Sequence, residues 1–380
     1  MFRSALTVLA LAFAAAVPSA EACDCGGCAP VSCGTTSAAA PGGLLQVRPG
    51  GQRGPLRAFD VATGRHRFSL PPGLASADGR RYFAALDRFR GLRAYDVHTG
   101  HLLFASRVIR HGPWYVAGVS ANGRNVALVQ TKGRVTHVTM FDARRRAVYR
   151  TFALRGWYDV DAVSNDGRRV FLIQYLDTGG YLIRLFDLDR RVLTARRLTE
   201  NGAPMNGTAW DAVAAPDGHR LMTLYLRGQG RPEVHTLDLR RGTAVCIDLP
   251  GGNQYLVQQY TLALARGGNV LYAANPALGI VATVDLRKLR VMRVDHFPTF
   301  VETAPLAPNA VVSHDGRTAY FTAGLSLFAY DAAYHVVRGV YDAGAPISGL
   351  AFTPDDKRLV VVRRDGTVVR LNAATGKEIG

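Results

Sequence analysis

Lysine is almost missing from this 380-residue chain. Four of its 46 basic residues are Lys (Lys132, Lys288, Lys357, Lys377), set against 29 acids, for a formal charge of +17. Arginine in such excess, beside abundant Ala and Gly, reads as a base-composition bias and a solubility term. The basic residues scatter along the chain with no single stripe, so no specific nucleic-acid partner is expected. Catalytic signatures are also lacking. The ten His form no H-x-x-x-H pair. There is no C-x-x-C-H haem site, no G-x-S-x-G elbow and no phosphate-cradling Gly loop. No catalytic residue is assigned. No run after Val17 is apolar enough for a transmembrane helix, and helical periodicity is absent throughout. With 48% apolar residues, the chain has the material for a large core and does not read as disordered.

The N-terminus is distinctive. Met1-Phe2-Arg3 is followed by an apolar run from Ala5 to Val17, then Pro18 and the A-x-A pattern Ala20-Glu21-Ala22. This reads as a secretory signal peptide over 1–22, which predicts an exported protein: extracellular, periplasmic or cell-surface. Four of the five cysteines then fall within eleven residues, at Cys23, Cys25, Cys28 and Cys33. Three readings stand. Export favours disulfides. Close thiolates also suit Zn or Cu(I). A lipid on Cys23 would anchor the chain, although Ala20 and Glu21 fit a lipobox poorly. Residues 23–54, rich in Gly, Ala, Ser, Thr and Pro, read as a flexible tether. Cys246 stands alone as a small packed hydrophobe.

From residue 55 onward the chain repeats. One turn motif occurs seven times: Ser76-Ala77-Asp78-Gly79-Arg80, Ser120-Ala121-Asn122-Gly123-Arg124, Ser164-Asn165-Asp166-Gly167-Arg168, and again around Asp217, Gly267, Asp315 and Asp355. Asp-Gly and Asn-Gly supply the positive φ of a two-residue hairpin. Each turn precedes a short apolar run such as Val170-Phe171-Leu172-Ile173, as expected of strands buried on both faces. A second motif, an apolar residue followed by Asp, ends a later strand: Phe59-Asp60, Tyr95-Asp96, Phe141-Asp142, Phe186-Asp187, Leu237-Asp238, Val284-Asp285, Tyr330-Asp331 and, with Asn, Leu371-Asn372. Four short strands per repeat of about 46 residues is the signature of a propeller blade. The pattern resembles the WD40 and YVTN propeller families. Trp-Asp and Gly-His dipeptides are absent from the repeats, and Leu271-Tyr272-Ala273-Ala274-Asn275 is close to the YVTN signature. The expected fold is an all-β propeller over 55–380. Seven turns favour seven blades, with the N-terminal strand completing the last; eight strand-Asp motifs leave eight as the alternative.

The resemblance implies a ligand face where the outer strand of one blade loops to the inner strand of the next. Those loops hold Trp114-Tyr115, Trp157-Tyr158-Asp159, Trp210-Asp211 and Gln259-Tyr260, a candidate aromatic rim with acids beside it. The registers of the three Trp differ, which counts against a common direction. The expected function is a binding or interaction scaffold for a protein or a cell-envelope glycan, acting as a monomer. An enzyme of lactonase or quinoprotein type, or metal and redox handling by the cysteines, is the alternative. Intact mass under non-reducing conditions separates the cysteine readings: two lost hydrogen pairs for disulfides, a metal mass, or a diacylglyceryl mass.

Overall fold

The computed structural model describes residues 39–40, 43–47, 55–85, 91–107, 114–215, 217–300 and 309–379. The signal peptide and Cys23, Cys25, Cys28 and Cys33 lie outside them. The described strands form eight antiparallel sheets, seven of four strands and a last one of three, each in simple sequence order. First strands of successive blades touch one another and are mostly buried, whereas fourth strands such as Ala147–Arg155 and Val336–Asp342 alternate exposed and half-buried residues. The first strand is therefore innermost and the fourth forms the outer rim. It is an eight-bladed β-propeller.

This corrects the seven-blade expectation. The N-terminal segment does not complete the last blade; it builds one of its own, from Ala39–Ala40, Leu44–Val47, Leu56–Asp60 and His66–Leu70. Two sequence features hid it. The residues between its first two strands read Pro41-Gly42-Gly43, without the Asp-Gly signature. Its second strand also falls in the segment expected to be tether, where small residues dominate. Closure comes from apolar packing between the first and last blades. Leu45, Val47, Phe59 and Val61 meet Ala351, Val360 and Val362 in one buried cluster. The last blade keeps three strands, Ile347–Phe352, Arg358–Arg363 and Val368–Asn372, with Glu378 bridging Leu371 at its outer edge.

Both repeat motifs have clear mechanical roles. In the first, a single residue takes positive φ, as at Gly79 (68°) and Gly167 (69°), with Asp356 (57°) in the Gly place of the last copy. The turn closes from the Gly79 N–H to the Ser76 carbonyl, while Asp78 accepts from the Ser76 hydroxyl and the Arg80 N–H. The result is a type I turn ended by a left-handed Gly, longer than the two-residue hairpin expected. These turns also stitch neighbouring blades: the Asn122 N–H donates to Asn165 and the His314 N–H to Asp356. In the second motif the Asp closes the hairpin into the fourth strand. Asp142 Oδ1 accepts from the Arg144 and Arg145 N–H groups at 2.8 and 3.0 Å, and Asp238, Asp285 and Asp331 repeat the arrangement. Such Asx turns satisfy backbone donors that no strand partner reaches.

Both kinds of turn lie at one face of the ring; the links between blades and the turns between second and third strands lie at the other. Asp142→Ala removes the Asx turn and the Arg124 ion pair (3.0 Å), for an expected loss of about 2 kcal/mol. Asp142→Asn keeps the turn and is expected to lose under about 1 kcal/mol. The urea midpoints of the two variants check that order.

Candidate functional site

At the link face, most of the sequence-selected residues serve the core. Trp114 is buried between the second and third blades against Phe83, Leu92 and Val126. Tyr158 fills the core between the third and fourth. Trp210 packs on the core between the fifth and sixth. Tyr260 is fully buried and donates its hydroxyl to the Pro250 carbonyl at 2.7 Å. Gln259, half-buried, ends the 3-10 turn Val257–Gln259. Asp211 is buried and fixes the next blade's inner strand, accepting from the Leu262 N–H (2.8 Å) and the Thr261 hydroxyl (3.2 Å).

The structure brings Tyr115, Trp157 and Asp159 together. Trp157 is 53% exposed and Tyr115 37%. Trp157 stands directly opposite Tyr175 on the second strand of the fourth blade, and Tyr175 opposite Tyr181 on the third. Opposed residues project from the same side of a sheet, so an aromatic row crosses the end of this blade. Tyr181 then stacks on Tyr225 of the fifth blade, centroids 5.4 Å apart, and Tyr225 meets His235 edge-on. Sequence reasoning passed over Tyr175, Tyr181 and Tyr225 because they lie outside the inter-blade links; strand register was the signal that would have found them.

Beneath this row sit two acids of the innermost strand Trp157–Val163. Asp159 Oδ1 accepts from the Val160 N–H (2.7 Å) and from the Tyr115 hydroxyl (3.3 Å), while its Oδ2 has no partner. Asp161 is the extra residue of a β-bulge between Val160 and Ala162, a device that re-aims a side chain. Neither of its carboxylate oxygens has a partner. Burial pushes both carboxyls up to about 7, and the neighbouring Asp161 adds to the rise at Asp159. The tyrosines respond in turn. Burial, then the Asp159 charge, raises the phenols of Tyr115 and Tyr175. Burial, then Asp161, raises that of Tyr225. All three phenols stay protonated at physiological pH.

The polar seam continues outward between the fourth and fifth blades. His235 is buried, pushed down to about 4 by desolvation, and therefore neutral at pH 7. It donates from Nε2 to the Leu198 carbonyl at 3.0 Å. Beyond it, a cavity of about 170 Å³ is lined by Met205, Asn206, Cys246 and the ion-paired Arg227 and Glu233. Among the described residues, no three His, Cys, Asp or Glu side chains gather as a metal-binding set.

Similar solved structures include dihydro-heme d1 dehydrogenase NirN in complex with DHE, at 17% identity and TM-score 0.54, covering 90% of this chain and 73% of that one. The Dos1 propeller is similar at 14% identity and TM-score 0.52, covering 86% and 88%. The likeness is one of fold. No protein-family model matches the chain, and no curated protein does.

The buried acids make a pH prediction with a definite sign. A carboxyl raised from 3.8 to about 7 keeps its proton in the native state while the unfolded chain ionises. Stability is then lost as pH climbs from about 4 to about 7. Asp161→Asn removes that penalty. Each pKa unit is worth about 1.4 kcal/mol, so the upper bound on the gain is a few kcal/mol. Melting curves should place the variant above the parent at pH 8 and level with it at pH 4.

Proposed function

We propose that this propeller is an exported binding platform that engages a cell-envelope glycan or a protein partner through its link face. The contact surface is centred on Trp157, Tyr115 and Tyr175. One observation carries the reading: exposed aromatics of the third and fourth blades gather at one end, above two buried carboxylates that lower stability and have unmatched oxygens. Groups kept at a cost to stability mark functional sites more often than structural ones. Aromatic faces with a few fixed polar groups suit sugar rings and partner side chains. Asp159 holds the Tyr115 hydroxyl inward, so that ring enters binding with part of its freedom already lost. Export follows from the expected leader at residues 1–22.

The same acids favour a second reading. Two carboxyls titrating near neutrality are suited to general acid–base catalysis, which would make the chain a propeller-based hydrolase. Asp159→Asn and Asp161→Asn would then abolish turnover of a lactone or glycoside while leaving partner capture intact.

Fluorescence tests the binding reading directly, because Trp157 is the one exposed Trp of the three. Envelope glycans or a captured partner should shift its emission. Trp157→Phe should abolish the shift, and Tyr175→Ala should weaken binding about tenfold, the loss of one aromatic contact. A shift that persists in Trp157→Phe would place binding elsewhere.

A further inference from the structure

The arginines that scatter in sequence do not scatter in space. In four consecutive blades the Asx turn into the fourth strand carries a basic pair: Arg144-Arg145, Arg190-Arg191 and Arg240-Arg241, with Arg287-Lys288 in the sixth blade. Every one of these side chains is exposed. The residue after the turn Gly adds further exposed cations nearer the axis, as at Arg80, Arg168 and Arg317. Antiparallel hairpins place both kinds of turn at the same end of every blade, so the repeat converts a periodic motif into one basic face.

The Asx-turn acids of the third, fifth and sixth blades do little to mask it. Asp142, Asp238 and Asp285 are turned in on their own hairpins. Their Oδ1 atoms accept from the backbone N–H groups of the very residues whose basic side chains point out. No ion pair among the described residues engages Arg144, Arg145, Arg240, Arg241, Arg287 or Lys288. Elsewhere on this face Arg168 meets Asp189, Arg190 meets Asp187 and Arg124 meets Asp142, as on the link face Arg134 meets Asp177 and Arg227 meets Glu233.

We propose that this turn face docks on an anionic phospholipid surface, leaving the aromatic link face free for its own partner. Planarity favours a lipid surface over a nucleic acid. The cations sit at hairpin tips spread around a ring, not along a stripe or groove that would track a strand. Tyr334 is the single exposed Phe, Tyr or Trp side chain at these turns among the described residues, so the face offers no set of stacking rings for unpaired bases. Attraction of many shallow cations to a charged plane needs neither a groove nor an apolar wedge, and it falls away within a Debye length.

The test is sedimentation of the full-length chain with phosphatidylcholine vesicles, with or without about 30% phosphatidylglycerol. Binding should require the anionic lipid and should collapse between about 0.1 M and about 0.5 M salt. Arg144→Glu, Arg145→Glu, Arg240→Glu and Arg241→Glu combined should lower partitioning by more than about tenfold. A charge-matched control on the link face (Lys132→Glu, Arg155→Glu, Arg231→Glu and Arg364→Glu) should change it by less than about twofold. Equal losses in the two variants would mean that net charge alone acts, and would overturn the proposal. So would equal binding to neutral vesicles, or tighter binding to a duplex DNA than to the anionic vesicle. Circular dichroism of each variant confirms that the ring is folded, and the Trp157 fluorescence response of the turn-face variant separates this docking from binding at the opposite face.

Discussion

Every part of this molecule depends on the apolar contact between one blade and the next. A blade is a single layer, so its two broad sides can be covered only by its neighbours. Tyr158 and Val160 complete the third blade's core; Val360 and Val362 complete the first blade's. Neighbouring blades run so close at their inner strands that a side chain at Gly118 would meet Val160 at 2.6 Å, and one at Gly349 would meet Val47 at 2.6 Å. Burial worth about 25 cal/mol per Å² accrues only when neighbours are present, which is why such repeats are not stable alone. Closure of the first blade on the last is therefore a condition of the whole ring.

Much of the architecture was readable because its turns need particular residues. Gly at the left-handed position and Asp at the Asx position are chemical requirements, and both recur in register. The first blade was only half readable for the same reason: Phe59-Asp60 marked its third strand and left eight blades as the alternative. No Asp-Gly stands before its second strand in the sequence, and that strand, Leu44–Val47, is short and set among small residues. Blade number also depends on how two ends meet, and the cluster that joins them draws on residues some 300 positions apart, beyond the reach of local pattern.

The link face was half legible. Its position followed from the repeat, and Trp157, Tyr115 and Asp159 do come together there. Yet the three tryptophans have different fates, because register decides which side of a strand a residue takes. Trp114 turns into a core, Trp210 leans on another, and only Trp157 stays at the surface. Asp161 owes its direction to a bulge that no propensity marks. Tyr175 entered through cross-strand pairing, a long-range relation that a linear reading does not contain.

The Asx turns have an electrical consequence. Each is a small dipole with its carboxylate inward and its guanidinium groups outward, and neighbouring blades repeat that orientation. In the third blade both ends resist titration. Burial works against the Asp142 anion, but the Arg145 N–H, the Arg124 guanidinium and the Arg144 N–H hold it below the usual carboxylate range, and guanidinium does not deprotonate in water. The Asx turn of the third blade is thus a fixed polarisation. At the opposite face, two protons exchange near neutrality. One blade thus carries a constant dipole at its turn, and the next carries titrating carboxyls towards the opposite face.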